Sequence, residues 1–271
     1  MSKLWYVPLT ITAIVLVLPS LWLISTSLKV PGTEFVYPPQ WIPSPISWRN
    51  YPDALQQGSF DVYFKNTLTI TVAATLGTVI TASLAAFGFA RIRFPGRDFL
   101  FVLLLSTIML PDIVTLVPKY ILFSKLHWIN TFLPLTVPFW FGGGAFNIFL
   151  IRQFFMTLPY ELDEAARMDG ATNLQVYFQV VLPLSVPALA TVAIFSIVAN
   201  WNDFLSPLIY LNSPQKFTLA LGLQNFQTLY GTHWAWLMAA SMLMIVPMLV
   251  LFFSFQRFFV EGIQLTGLAG R

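Results

Sequence analysis

Four of the eleven acidic residues of this chain, Glu161, Asp163, Glu164 and Asp169, fall within nine positions, and Arg167 lies among them. Paired carboxylates are the raw material of general acid–base chemistry, which also needs a pocket to raise one pKa. Here they sit in LPYELDEAARMDGATNLQVYFQVVLP, residues 158–183, a stretch that reads as two short helices around a hinge. Pro159 suits a first helical turn, the acids place negative charge near the helix N-terminus, and Arg167 follows Asp163 at i+4 and Glu164 at i+3. Leu162, Ala165, Ala166 and Met168 give a small, weakly apolar side. Gly170 stops the helix, and Thr172 with Gln175 has the capping-box spacing that restarts one through Val176 and Val180 to Pro183. The carboxylates are expected on an exposed helix without a pocket, so the stretch has the form of a docking element and lacks the parts of a catalytic centre.

Other chemistry is sparse. No G-x-x-x-x-G-K-[ST] occurs, so the chain does not cradle ATP in the P-loop manner. Gly142, Gly143 and Gly144 lack a following Lys-Ser/Thr and read as a close-packing or flexible point. His127 and His233 are too far apart for paired metal ligation, and cysteine is absent, so cofactor and metal sites are expected to be lacking. Two polar places near apolar runs are candidates for a solute path. Asp112 follows Pro111 within an apolar run, where a carboxylate is either functional or an interfacial helix-end residue. Asn200, Trp201, Asn202 and Asp203 form a dense polar cluster that either lines a path or anchors a helix end at the interface.

The elements that must position these residues are set by composition. Apolar residues make up 57% of the chain and charged ones 9%, a balance that implies an integral membrane protein. A net charge of +3 without a dense basic run argues against nucleic-acid binding. Uncharged runs predict six transmembrane helices near residues 5–27, 67–90, 99–123, 131–151, 183–205 and 234–255, in one domain spanning 1–271. The first is read as an uncleaved span, with Pro19 expected to kink it. Residues 29–66 form a Pro-, Trp- and Tyr-rich outer loop. The second span is rich in Ala and Gly, suiting close helix packing. The third is interrupted at Pro111-Asp112 and Pro118, which requires the freed backbone groups to face protein or water.

Arg91, Arg93 and Arg97 lie in one short connection, the clearest positive-inside signal, which makes that loop and both termini cytoplasmic. The total is weakly asymmetric: Lys3, Arg91, Arg93, Arg97, Arg152, Arg167, Arg257 and Arg271 fall inside, and the remaining Lys and Arg outside. Residues 158–182 then form a cytoplasmic loop between the fourth and fifth spans. The segment 210–233 is expected outside, as a re-entrant or interfacial piece.

Glu164, Ala165 and Ala166, three residues, Gly170, nine residues, then Val180, Val181, Leu182 and Pro183 resemble the EAA loop of inner-membrane permeases in binding-protein-dependent ABC importers. Val180 departs from the family's Ile but keeps its β-branched character. FPGRDFLF, MLPDIVTLVPKYILFSKLHWINT, RQFFMTLPYELDEAARMDGAT and LPLSVPALATVAIFSIVANWNDF resemble the carbohydrate-importing branch, in particular the smaller, six-span permease of the maltose-importer type.

The resemblance implies an all-α type I ABC importer permease fold in a prokaryotic inner membrane, surrounded by lipid. It also implies a second permease subunit, two ATPase subunits that bind ATP and Mg, and an extracytoplasmic solute-binding protein. It places Glu164, Ala165, Ala166, Arg167, Met168, Asp169, Gly170, Leu182 and Pro183 in an ATPase-coupling loop. The tail after Arg257 is implied to contact the ATPase, and 210–233 the binding protein. A permease for an amino acid or another small solute is the alternative within this class. An ion-coupled secondary transporter would need more intramembrane ionisable groups than Asp112 supplies, and a purely structural membrane subunit would be insensitive to the cluster near Asn200.

Overall fold

The computed structural model describes residues 6–57, 59–228 and 231–267, with side chains to residue 256 apart from Gln57 and Thr228. It is helical almost throughout. Apolar runs that cannot hydrogen-bond to lipid must satisfy their own backbone, and helices do so within one segment. The helices are α1 Tyr6–Ser27, α2 Asn50–Gln57, α3 Phe60–Arg91, α4 Arg97–Ser106, α5 Asp112–Lys125, α6 Leu133–Thr136, α7 Ala145–Thr157, α8 Glu161–Met168 and α9 Asn173–Val176. They continue with α10 Leu182–Leu184, α11 Val186–Trp201, α12 Leu205–Tyr210, α13 Leu219–Gly222 and α14 Trp234–Gly267.

Among the described residues, four helical stretches are long and apolar enough to cross a membrane: Tyr6–Ser27, Phe60–Arg91, Leu133–Thr157 and Trp234–Gln256. Two further pairs qualify only when each is taken together, and both are bent. Arg97–Met109 meets Asp112–Lys125 at 99°, and Asn173–Leu184 meets Val186–Trp201 at 78°. The first break falls at the Pro111-Asp112 expected to interrupt that run, whereas Pro118 stays inside α5. The second break falls at Ser185, near the start of the span expected over 183–205, and α11 ends at Trp201. Pro183 and Pro187 lie on either side of Ser185, and Pro187, near the start of α11, has no N–H to offer the preceding turn.

The chain divides into two compact parts. One comprises the first 64 residues with 217–250. Here the Pro-rich segment after α1 is tied down by polar contacts where no helix is possible. Asn50 Nδ2 donates to the carbonyls of Ser27 at 2.8 Å and Lys29 at 2.7 Å. The buried Lys29 ammonium donates to the Glu34 carbonyl at 3.0 Å and lies 4.0 Å from the Trp22 ring centre. Burial lowers the Lys29 pKa against an opposing pull from Glu34. The Glu34 carboxylate accepts from Gly32 N at 2.8 Å and from Ala235 N at 3.2 Å, so it caps the first turn of α14. Residues 210–233, expected as a re-entrant or interfacial piece, include α13 and a two-stranded antiparallel hairpin pairing Gln227–Thr228 with Gly231–Thr232. Gly222 lies against the Tyr63 ring so closely that an added Cβ would overlap it.

The other part, containing 65–216, holds the main core. Ala82, Ala86 and Phe87 of α3 pack with Ile148, Leu150, Ile151 and Phe155 of α7, with Val176, Tyr177 and Val181, and with Ala188 and Val192 of α11. The small side of α3 does what its composition predicts. The fully buried Ala82 and Ala86 let neighbouring backbones approach. The three glycines are not inside a helix. They have φ of 99°, 61° and 95° and link the turn Val137–Trp140 to α7, with a Cβ at Gly143 falling 2.7 Å from Thr78 Cα. They are thus a close crossing over α3.

Candidate functional site

The loop predicted to carry function is the connection between α7 and α11. Leu158 leaves α7 in an extended conformation and Pro159 follows, so the chain turns before α8 begins. α8 ends in a Schellman arrangement. Ala171 N donates to Ala166 O at 3.0 Å, Gly170 N to Arg167 O at 3.0 Å, and Gly170 has φ of 88°. The Thr172–Gln175 capping box is present, with Thr172 N donating to Gln175 Oε1 at 2.8 Å and Gln175 N to Thr172 Oγ1 at 3.4 Å. Past Val176 the expected α-helix widens into a π turn over Tyr177–Val181 before α10. Tyr177 is buried there, and its hydroxyl meets Ser83 Oγ on α3 at 2.7 Å.

The two sides of α8 differ from the sequence expectation. Asp163 does not lie on an exposed face: it is 1% exposed, and its carboxylate is 3.5 Å from Arg91 Nε at the end of α3. Neither carboxylate oxygen has a hydrogen-bond donor among the described residues. Burial pushes the carboxyl above the usual aspartate range, while Arg91 and Arg167 pull it down less strongly. Arg91 also donates to the Leu158 carbonyl at 2.9 Å, so one guanidinium ties α3 to both the entrance and the first turn of the loop. Ala166 also faces inward, packing against the core, which corrects its expected place beside Ala165. The outward face presents Glu161, Leu162, Glu164, Ala165 and Met168, followed by exposed Asp169 and Gly170.

Arg167 does not simply brace its own helix. It donates to the Tyr160 hydroxyl at 3.3 Å and to Asn173 Oδ1 at 3.2 Å, clamping α8 to α9. Leu182 packs against the core and Pro183 is exposed. Arg91 and Tyr160 are the residues of the loop's setting that local spacing misses, because they meet Asp163 and Arg167 only through tertiary packing. The side chain of Arg257 and the residues after 267 lie outside the described residues, so the tail expected to reach a partner has no side-chain geometry here.

The candidate path residues have separate partners. Asp112 starts α5 with its side chain fully exposed and 3.9 Å from Lys119 Nζ. Asn200 is buried and donates to Ser196 O at 2.8 Å, while Thr75 Oγ1 of α3 lies 3.2 Å from Ser196 Oγ. Trp201 is buried beside it. Asn202 donates to Val198 O at 2.8 Å, and Asp203 accepts from Ser206 N at 3.1 Å, so both finish helix ends. Among the described residues no group of three or more His, Cys, Asp or Glu could hold a metal ion.

A helical membrane fold with a two-helix loop docked on its own spans defines a class of transport permeases. The chain belongs to the family described as the binding-protein-dependent transport system inner membrane component, which it matches over residues 77–264. It is 34% identical to the arabinooligosaccharides transport system permease protein AraQ of Halalkalibacterium halodurans, over 91% of this chain and 86% of that one. It is 32% identical to the diacetylchitobiose uptake system permease protein DasC of Streptomyces coelicolor, over 96% of each. Its fold matches a chain in the crystal structure of a bacterial ABC transporter involved in import of the acidic polysaccharide alginate. There the TM-score is 0.83 at 23% identity, covering 94% of this chain and 95% of that one. The all-α type I importer permease architecture expected from the EAA loop is thus the fold observed.

Proposed function

We propose that this chain is a non-catalytic permease subunit of an ATP-driven, binding-protein-dependent importer that carries a sugar or sugar-like solute across a prokaryotic inner membrane. It crosses six times with both termini cytoplasmic, each bent pair counting as one crossing. A second permease subunit completes the path, two ATP-binding subunits hold ATP and Mg, and an extracytoplasmic binding protein delivers the solute. The saccharide transporters among its relatives support the solute class.

The observation that carries the mechanism is the two-sidedness of α8. Its inner side is bound to α3 and the core through Asp163, Arg91 and Ala166, while Glu164, Ala165 and Met168 face outward. A partner that grips the outer side moves the spans attached to the inner side. The hinge at Ser185, reached through a π turn, gives α11 a place to pivot. Movement of the docked loop thereby converts closure of the ATP-binding subunits into alternating access.

The test is ATPase activity of the reconstituted complex, measured with the binding protein and panels of sugars and amino acids. Stimulation by at least one saccharide is expected. Stimulation by amino acids alone would overturn the solute class, and uptake that persists without the ATP-binding subunit would overturn the mechanism.

A further inference from the structure

Beside α8 a cavity of about 420 Å³ is lined by Arg91, Arg93, Tyr160, Glu164, Arg167 and Asn173, among others. Its guanidiniums are unequally engaged. Arg91 is committed to Asp163 and the Leu158 carbonyl. Arg167 uses its two terminal nitrogens on Tyr160 and Asn173, and its buried Nε–H has no acceptor among the described residues. Arg93 is exposed and has no hydrogen-bond or ion-pair partner among the described residues. With Asp163 balancing Arg91, the cavity sets Arg93 and Arg167 against Glu164, an excess of one positive charge.

We propose that this cavity receives a single carboxylate side chain of the ATP-binding subunit, with Arg93 as its main partner. The proposal rests on the reading of α8 as the docking element. Three observations favour that occupant. The cavity shares Glu164 with the outward face of α8, so a protein lying on that face reaches its mouth. An excess of one charge matches a carboxylate, whereas a phosphate dianion would meet Glu164 uncompensated. A guanidinium with all its N–H groups free offers the fork geometry that a carboxylate accepts in bidentate fashion. The result is a second anchor beside the apolar fit, one that fixes the rotation of α8 against the ATP-binding subunit.

The experiment measures binding of the ATP-binding subunit to the permease complex in nanodiscs, made once with neutral phospholipid alone and once with added anionic phospholipid. Arg93→Glu is expected to weaken binding at least about tenfold in neutral discs, the scale of losing one charge-assisted contact. Arg93→Lys is expected to retain most of it. An acid-to-arginine change at one position of the ATP-binding subunit should restore binding to the Arg93→Glu form. Arg93 is exposed, the Lys variant controls for charge, and unchanged assembly of the Arg93→Glu permease complex before discs are made controls for insertion.

Unchanged binding by Arg93→Glu overturns the proposal. So does a loss seen only with anionic phospholipid, which would give the cavity to a lipid headgroup. Ala165→Arg, on the outward face, separates the two levels. If it abolishes binding while Arg93→Glu does not, the docking role of α8 stands and the carboxylate assignment falls. If neither has an effect, the docking role falls as well.

Discussion

Asp163 is ionisable, almost fully enclosed and held by one long ion contact, which makes it the most sensitive residue of the loop. Replacing Arg91 by Ala leaves that carboxylate buried without its partner, and the expected cost is about 3 kcal/mol. Arg91→Ala combined with Asp163→Ala should lose less than the sum of the single changes, as a double-mutant cycle in thermal unfolding would show. The pH dependence follows from the same burial. The native carboxyl holds its proton more tightly than an unfolded aspartate of pKa 3.8, so stability falls as pH rises from that value through the raised one. Asp163→Asn should flatten that slope in melting curves taken across mildly acidic and neutral pH.

Gly170 is governed by backbone and not by space. A Cβ there meets nothing within 4 Å, but φ of 88° strains any other residue, by about 1 kcal/mol for Ala. Gly170→Ala should therefore insert normally and keep partial coupling. Gly170→Pro, which cannot adopt that φ and loses the bond to Arg167 O, should abolish solute-stimulated ATP hydrolysis. Normal stimulation in the proline variant would refute the account in which the docked loop moves the spans.

At the scale of elements, the crossing of the three glycines over α3 sets how close α3 and the α6–α7 region can come. A Cβ on Gly143 meets backbone, Thr78 Cα and O, whereas a Cβ on Gly77 meets the half-exposed Trp140 ring. Backbone cannot step aside as a ring can, so Gly143→Ala should cost about 1–3 kcal/mol and Gly77→Ala less. Melting temperatures of the two purified variants would rank them.

The elements also show what local sequence carries. The hinge glycine, the Thr172–Gln175 box and the break at Pro111 are short-range signals, and each appears where its residues stand. The π turn at Tyr177–Val181 is different. Its residues suit an α-helix, and the turn widens where Tyr177 packs into the core and reaches Ser83, a tertiary contact with no local mark. Asp163 shows the same limit. Its spacing to Arg167 suggested a surface pair, but the helix is rotated so that position 163 faces Arg91, a partner on another span. Which acid of an amphipathic helix turns inward is decided by what waits there.

At the scale of the whole chain, Glu34 links the segment after α1 to the start of the last long helix by its hydrogen bond to Ala235 N. In synthesis that segment emerges long before α14 exists, so with the proposed orientation its carboxylate would already be stationed on the outer side when the final crossing is made. A last helix threaded in the wrong direction would present its opposite end to that side, and the bond could not form. With the proposed orientation, the bond would favour correctly threaded chains. The natural absence of cysteine makes this measurable, because a cysteine placed at Thr232 is the single thiol in the molecule. Its labelling by a membrane-impermeant reagent added outside should be nearly complete in the otherwise unchanged protein and should fall when Glu34 is replaced by Ala.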